Sequence, residues 1–408
     1  MLSHSNSSLN SAESTLNKQE PAVAYARARR WLGISYVGTI VTTCSLLLIF
    51  SLPQKLFASS QNLQTIALDL VFAILVFSLC SLPFDIAGYK IECYFDRSKQ
   101  SFSAFLSDLL RASLAHGVVL LAMALAVAGA YHYGSLAGLL SVSITISLVL
   151  ICTQFHFARL YGGSNFSVQR LPKNFVPGSK FAVKMPVILL VQVAERCFSG
   201  GIVGWPGSES IVIPKRWTSE FSEDELSVEL LRRSSIIASG GRLRGILLAI
   251  GFTNLGILFA ALLARFAFLL APDSTAGLIV FSCLFTLWSF VGLLVMPYFS
   301  HIGVYEADNL ALASGVSKEL LLATVSKIDS DLEGEAVRSV TVDTIFHPVP
   351  TIDFRLRALE HAEGQSPKGA WQTARYAVFL SVVGVGLLGR AVHCNAGKPS
   401  LWAILPAD

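Results

Sequence analysis

Seven runs of roughly 18–27 predominantly apolar residues punctuate the chain, at about 33–53, 65–83, 113–133, 136–155, 245–271, 275–297 and 374–391. Coiled as helices, such runs cross a hydrocarbon core of about 30 Å. Lipid offers a backbone amide no hydrogen-bond partner, so a chain that repeats this pattern reads as a helical membrane protein. Composition agrees: 53% of the 408 residues are hydrophobic and 14% are charged, which excludes an ordinary soluble enzyme. The formal net charge of +4 needs no nucleic-acid partner, and the partner implied is the lipid bilayer.

The distribution of Lys and Arg sets an orientation. Of 31 such residues, 27 fall in the N-terminal tail and in segments 85–111, 156–244 and 298–375. Lys55, Arg390 and Lys398 fall on the other side, and Arg265 lies inside a run. Positive charge marks the cytoplasmic side, so the N-terminus is expected inside and the C-terminus outside or lumenal. The expected plan starts with a disordered cytoplasmic tail (1–30) and a four-span region (31–155) with a cytoplasmic loop at 85–111. A polar part (156–243), a two-span hairpin (244–297) and a second polar part (298–373) follow. A last span with an external tail (374–408) ends the chain. The first 30 residues carry no early apolar core, so no signal peptide is expected. Seven cysteines form no C-x-x-C pair and suggest neither a disulfide framework nor a zinc knuckle. Of the polar residues inside the runs, Asn254 is the deep one, and a bond to a neighbouring helix accounts for it.

The polar parts carry the local signals. Ser210–Pro214 reads as a short strand ended by proline, and Trp205-Pro206-Gly207 as a turn. Ser222 with Glu225 three residues on forms a capping box, and Leu226, Leu230 and Ile237 recur at helical spacing, which predicts a helix over 223–238. Leu82-Pro83-Phe84 leads to Ile91-Glu92, Phe95-Asp96-Arg97 and Gln100-Ser101-Phe102. Ser300-His301 leads to Tyr305-Glu306-Ala307-Asp308, and later come His347-Pro348, Arg355, Arg357 and Leu359.

Taken together these motifs resemble the integral-membrane zinc metallopeptidases that include the CAAX prenyl proteases and the heat-shock membrane proteases. The resemblance covers about residues 65–360. It implies a mainly α membrane fold of about seven transmembrane helices, with a cytoplasmic α+β metallopeptidase-like domain split by two of the spans. It also implies zinc held by H-E-x-x-H and by a glutamate near Tyr305, with the H-E-x-x-H glutamate activating water. In this register the two histidines and the glutamate of H-E-x-x-H fall on Arg232, Ile236 and Arg233, and the third ligand falls on Val304. No H-E-x-x-H occurs elsewhere in the chain. Arginine never deprotonates to become a ligand, and isoleucine and valine have no donor atom, so no zinc or other cofactor is expected. Asp308 matches the acid that orients a zinc histidine in such sites. The glycine of the family pattern is Asp96 here, and its usual asparagine is Glu195. Ile211–Ile213 would be the strand that edges the substrate cleft, or simply a covered strand of a small α+β unit.

The residues therefore predict a catalytically inactive, peptidase-like membrane protein that works by binding a peptide, a membrane-protein segment or a protease partner. A carboxylate left without metal needs another cation, so Arg232 or Arg233 is expected to pair with Asp308 or Glu306. The binding or structural site is then Arg232, Arg233, Glu306, Asp308, His347 and Arg355, with no catalytic or metal-ligating residue. Two other readings compete. One is an active zinc metalloendopeptidase with relocated ligands drawn from His301, Glu306, His347 and His361. The other is a transporter or channel, which the lack of repeated helix pairs and of a midplane charge cluster disfavours.

Overall fold

The computed structural model describes residues 5–57, 62–163, 167–171, 185–193, 195–331, 338–361, 367–381, 387–392 and 395–403, with side chains from Pro21 onward. Cys394 and the last five residues lie outside them. Long apolar helices dominate. Helix α1 runs Ser5–Ile49, a short α2 covers Leu52–Leu56, α3 runs Leu63–Tyr94 and α4 runs Phe102–Gly162. After the sheet come α5 (Trp217–Glu220), α6 (Glu223–Ala238), α7 (Gly241–Ala267) and α8 (Thr275–Ala313). Four shorter helices close the chain: α9 (Lys318–Asp331), α10 (Val340–Phe346), α11 (Ile352–Glu360) and α12 (Thr373–Leu380). Among the described residues five helices are long and apolar enough to cross a membrane: Pro21–Ile49 within α1, and α3, α4, α7 and α8.

Helix α4 holds two of the expected runs. Its 61 residues break at Ser135, where φ is 50° and ψ −140°. A Cβ on Gly138 would lie 2.2 Å from the Ala130 carbonyl oxygen, so the backbone turns back on itself there. The two arms then run antiparallel: Arg111 donates to the Tyr161 carbonyl at 3.1 Å.

Three expectations about the ends of the chain are corrected. Residues 21–30 are not a disordered tail. They belong to α1, where Tyr25 and Arg29 are buried. Arg29 donates to the Ala396 carbonyl, and Tyr25 to Glu92 at 2.6 Å. The described residues of the run at 374–391 do not form one long helix, and 382–386 lie outside them. Helix α12 has eight residues, about 12 Å of rise, and Gly389 comes back to within 3.6 Å of the Val378 carbonyl, counted from its Cβ position. Arg390 and Lys398, expected apart from the N-terminal charges, meet the same part of α3 as Arg29, which lies 3.7 Å from Glu92. Arg390 pairs with Asp85, and Lys398 with Glu92 at 2.9 Å, on the last three turns of α3. Apolarity makes a segment eligible for lipid, but here the C-terminal segment spends its apolar faces on protein: Tyr376, Phe379, Leu380, Leu388 and Leu401 are buried in the main core. Asn254 also departs from expectation, donating to Ile250 of its own helix rather than to a neighbour.

Four strands form one sheet in the order β1 (Ser167–Arg170), β2 (Val187–Gln192), β4 (Ser210–Pro214), β3 (Gly201–Val203). β2 and β4 pair in parallel, and the other two pairs are antiparallel. Of the two readings of Ile211–Ile213, the covered strand is the one observed: β4 is an interior strand with neighbours on both sides. Its alternation decides its contacts, because successive side chains point to opposite faces. Ile211 and Ile213 join Ile188, Leu190, Leu226 and Leu230 beneath α6, while Val212 joins the main core. The turn at Trp205–Ser208 closes with a 2.9 Å bond, and Gly207 has φ 91°, as the third position of a type II turn demands. Asp96 also sits at φ 55°, in the left-handed region that favours glycine and tolerates aspartate.

Candidate functional site

Helix α6 begins as its sequence dictates. Ser222 accepts from the Glu225 amide and Glu225 accepts from the Ser222 amide, so two otherwise orphaned donors are satisfied together. From that start the helix runs into the interior, and Leu226 to Ile236 are buried all round. Helix α7 follows after a turn at Gly240, where φ is 74°. Helix α8 continues straight through Pro297 to Ala313, so Val304–Asp308 sits on the extension of an apolar helix rather than in a loop. The two polar parts of the chain meet at the foot of this helical pair. Val228 and Leu231 of α6 pack with Ala311 of α8 and with Leu321 and Val325 of α9.

At that foot lies a buried cluster of ions. Asp308, 1% exposed, accepts from Arg232 Nε at 2.8 Å and from Arg355 at 2.7 and 2.6 Å. Arg232 turns its other edge to Glu229, Nη1 to Oε2 at 2.5 Å. Glu229 also accepts from Arg233 Nε at 2.7 Å. Arg233 then reaches the sheet, donating to the carbonyls of Val212 at 2.6 Å and Ser199 at 3.0 Å. Three guanidiniums thus share two carboxylates with all five side chains buried. Such a group tolerates burial because every charge has a close counter-charge with hydrogen bonds. Burial alone would raise the pKa of Glu229, but Arg232 and Arg233 outweigh it and hold the carboxyl below its ordinary value. Arg232 is pushed up, its two carboxylate partners overcoming desolvation.

Beside this cluster the chain is apolar. Ile236 and Val304 pack with Ile202, Ala307 and Trp371. Trp371 belongs to a segment threaded between α7 and α8. A Cβ on Gly245 would lie 1.9 Å from the Trp371 carbonyl oxygen, and one on Gly303 2.7 Å from the Trp371 amide. The absence of a side chain at both positions admits the segment. Glu306 fixes it from the side, accepting from Arg244 at 2.8 Å and from the Gly369 amide at 2.7 Å.

Each residue singled out in the sequence has a place. Arg232, Asp308 and Arg355 form one contact. Arg233 reaches it through Glu229, whereas Glu306 pairs with Arg244. His347 is not in the cluster, and its carbonyl is bonded to the His301 ring at 2.7 Å. His361 lies at the end of α11, its Nδ1 on the Arg357 carbonyl. The candidate replacement ligands His301, Glu306, His347 and His361 therefore do not converge. Among the described residues no three His, Cys, Asp or Glu side chains come together as a metal site. The donor set at the foot of α6 and α8 does not fit zinc: two positions are hydrocarbon, two are cationic, and both nearby carboxylates are engaged by guanidiniums.

Three participants were missed in the sequence. Glu229 precedes Arg232 and Arg233 by three and four residues, the spacing at which helical side chains meet, so that signal was available. Trp371 and Gly369 had no local signal. Glu195, at the family's asparagine position, accepts from Ser400 Oγ and so helps to hold the C-terminal segment.

Long apolar helices, a small sheet and a buried polar cluster at their foot define a mainly helical integral membrane protein. No family model matches the chain, and no curated protein does. Solved structures do: the chain superposes on the crystal structure of S. mikatae Ste24p with a TM-score of 0.59, over 72% of this chain and 76% of that one, at 16% identity. At that identity the likeness is one of fold.

Proposed function

We propose that this protein is a peptidase-like membrane protein whose metal position has been taken over by the arginine–carboxylate cluster, and that it works by binding rather than hydrolysis. The observation that carries this reading is the Arg232–Asp308 contact at 2.8 Å. It joins the two helices that would have to present zinc ligands to each other. Ste24p, whose fold the chain shares, is an integral-membrane zinc metalloprotease, and its kinship to the family resembled by the sequence supports the frame. Ile236 and Val304 beside Trp371 support the loss of the ion, since hydrocarbon cannot replace its coordination shell. What such a scaffold retains without an activated water is the capacity to hold a polypeptide, so a peptide, a membrane-protein segment or a protease partner is the proposed ligand. Charge bias supports a cytoplasmic N-terminus, and the pairing of Arg390 and Lys398 with α3 brings these two cations to the same end.

The test is metal content and peptide hydrolysis, measured on the wild type and on a variant carrying Arg232→His, Arg233→Glu, Ile236→His and Val304→Glu. Zinc is expected in the variant and not in the wild type. Stoichiometric zinc with hydrolysis in the wild type refutes the reading, whether or not the variant folds.

A further inference from the structure

Residues 395–403 are all buried, yet apart from the single turn Pro399–Leu401 they form neither helix nor strand. Side chains from three helices bond their backbone. Arg29 of α1 donates to the Ala396 carbonyl at 2.8 Å, and Asp85 of α3 accepts from the Gly397 amide at 3.0 Å. Gln154 of α4 donates to the Ala403 carbonyl at 3.2 Å. Gly88 of α3 admits the segment this closely, because a Cβ there would lie 2.5 Å from the Ala396 carbonyl oxygen. A bound peptide is held in the same manner: main-chain bonds give affinity, and pockets for alternate side chains give specificity.

The pockets are defined too. Lys398 enters between Glu92, at 2.9 Å, and the Tyr25 hydroxyl, at 3.1 Å. Four residues on, Trp402 lies against His116 and Tyr161, with ring centroids 5.7 and 6.1 Å away. Arg390, at the end of the short helix Leu388–Arg390, meets Asp85 and lies 4.3 Å over the Trp402 ring. The segment thus brings a cation to each of two buried carboxylates, Asp85 and Glu92. Two further acceptors of the slot, Glu195 Oε2 and Gln154 Oε1, are buried without a hydrogen-bond partner among the described residues. The segment therefore leaves part of the slot's hydrogen-bonding capacity unused, and a ligand that used it would gain affinity.

We propose that the slot between α1, α3 and α4 is a peptide-binding site that the chain fills with its own Arg390 and residues 395–403. Its ligand in trans is a basic polypeptide segment with a lysine or arginine four residues before an aromatic side chain. The cation is required because a buried carboxylate that loses its partner is strongly destabilising. The ring takes the place of Trp402 against His116 and Tyr161. The chain's own segment competes as a tethered ligand, at an effective concentration of about 1 mM, and so sets the threshold a partner must exceed. This assignment rests on the reading that the protein works by binding a polypeptide, and it names the chemistry of that ligand. The slot shares no residue with the arginine cluster.

The probe is a fluorescein-labelled synthetic peptide of residues 387–403 with Cys394→Ser. Its binding to the full-length protein in detergent is read by fluorescence anisotropy. Trp402→Ala loosens the chain's own segment and leaves the ion pairs in place, so this variant should bind the peptide about tenfold more tightly than the wild type. Arg390→Gln with Lys398→Gln should raise the affinity further. A peptide with the same two glutamines should bind neither variant. The proposal is overturned if the peptide binds neither variant, if it binds the variants no better than the wild type, or if the glutamine peptide binds equally well. Loss of folding in both variants overturns it as well, since the segment is then core and not ligand; if only the double variant is lost, Trp402→Ala decides. Zinc content separates this assignment from the reading it rests on. Peptide binding with stoichiometric zinc and hydrolysis in the wild type refutes the inactive reading alone, whereas no binding and no zinc refutes the slot alone.

Discussion

Replacing Asp308 with alanine is the sharpest perturbation of the buried ion cluster. The carboxylate accepts three charge-assisted bonds at 2.6–2.8 Å from Arg232 and Arg355, and both arginines are at most 4% exposed. Without it Arg355 loses its directly bonded carboxylate, and of the cluster's two carboxylates only Glu229 remains. Breaking a buried pair from one side costs about 3–5 kcal/mol, most of it the desolvation of the charge left behind. Against a total stability of about 5–15 kcal/mol that is a large share. Removing the charges together behaves differently. A variant with Arg232→Met, Asp308→Leu and Arg355→Met leaves no unpaired ion among these three positions, so it should be more stable than Asp308→Ala despite three substitutions. The assay is denaturant unfolding in detergent followed by tryptophan fluorescence, which senses the region because Trp371 lies 5.9 Å from the Arg232 guanidinium. An Asp308→Ala variant within about 1 kcal/mol of the wild type, or a triple variant less stable than it, would show that the cluster does not hold α6 and α8 together.

Two further outcomes follow from the same geometry. Glu229 has a folded-state pKa below the ordinary 4.5, so the unfolded chain binds its proton more readily. Its contribution is complete above that value and is lost as pH falls through the lower folded value; an acid titration of the unfolding midpoint should show this, with a shallower fall in Glu229→Gln. Gly245→Ala puts a methyl where the Trp371 carbonyl now lies, so the segment 369–371 must move; a loss of about 1–3 kcal/mol and a shifted tryptophan emission maximum are expected, and an unchanged spectrum counts against the threading.

Much of the site was written in local residue types. The capping box fixed the start of α6, and the type II turn at Pro206-Gly207 needed nothing beyond its own residues. Positions 232, 233, 236 and 304 declared that they cannot bind a metal by what their side chains lack. The alternating Ile211, Val212 and Ile213 implied a two-faced strand, but whether that strand edged a cleft depended on β3, three residues whose own pattern is uninformative. Apolar length indicated helices wherever a run was to be surrounded by lipid. It misled at 374–391, because a segment buried among other helices is as apolar as one in a bilayer, and hydropathy does not distinguish the two surroundings.

What the chain encodes locally is therefore its helices, its caps and the residue types at positions 232, 233, 236 and 304. Which arginine meets which carboxylate was left to the tertiary structure, since Arg232 and Asp308 are 76 positions apart and Arg390 and Asp85 are 305. Ion pairs at such separations carry no period and no spacing. They exist because burial removes water, and each charge must then find the counter-charge that packing has brought within reach.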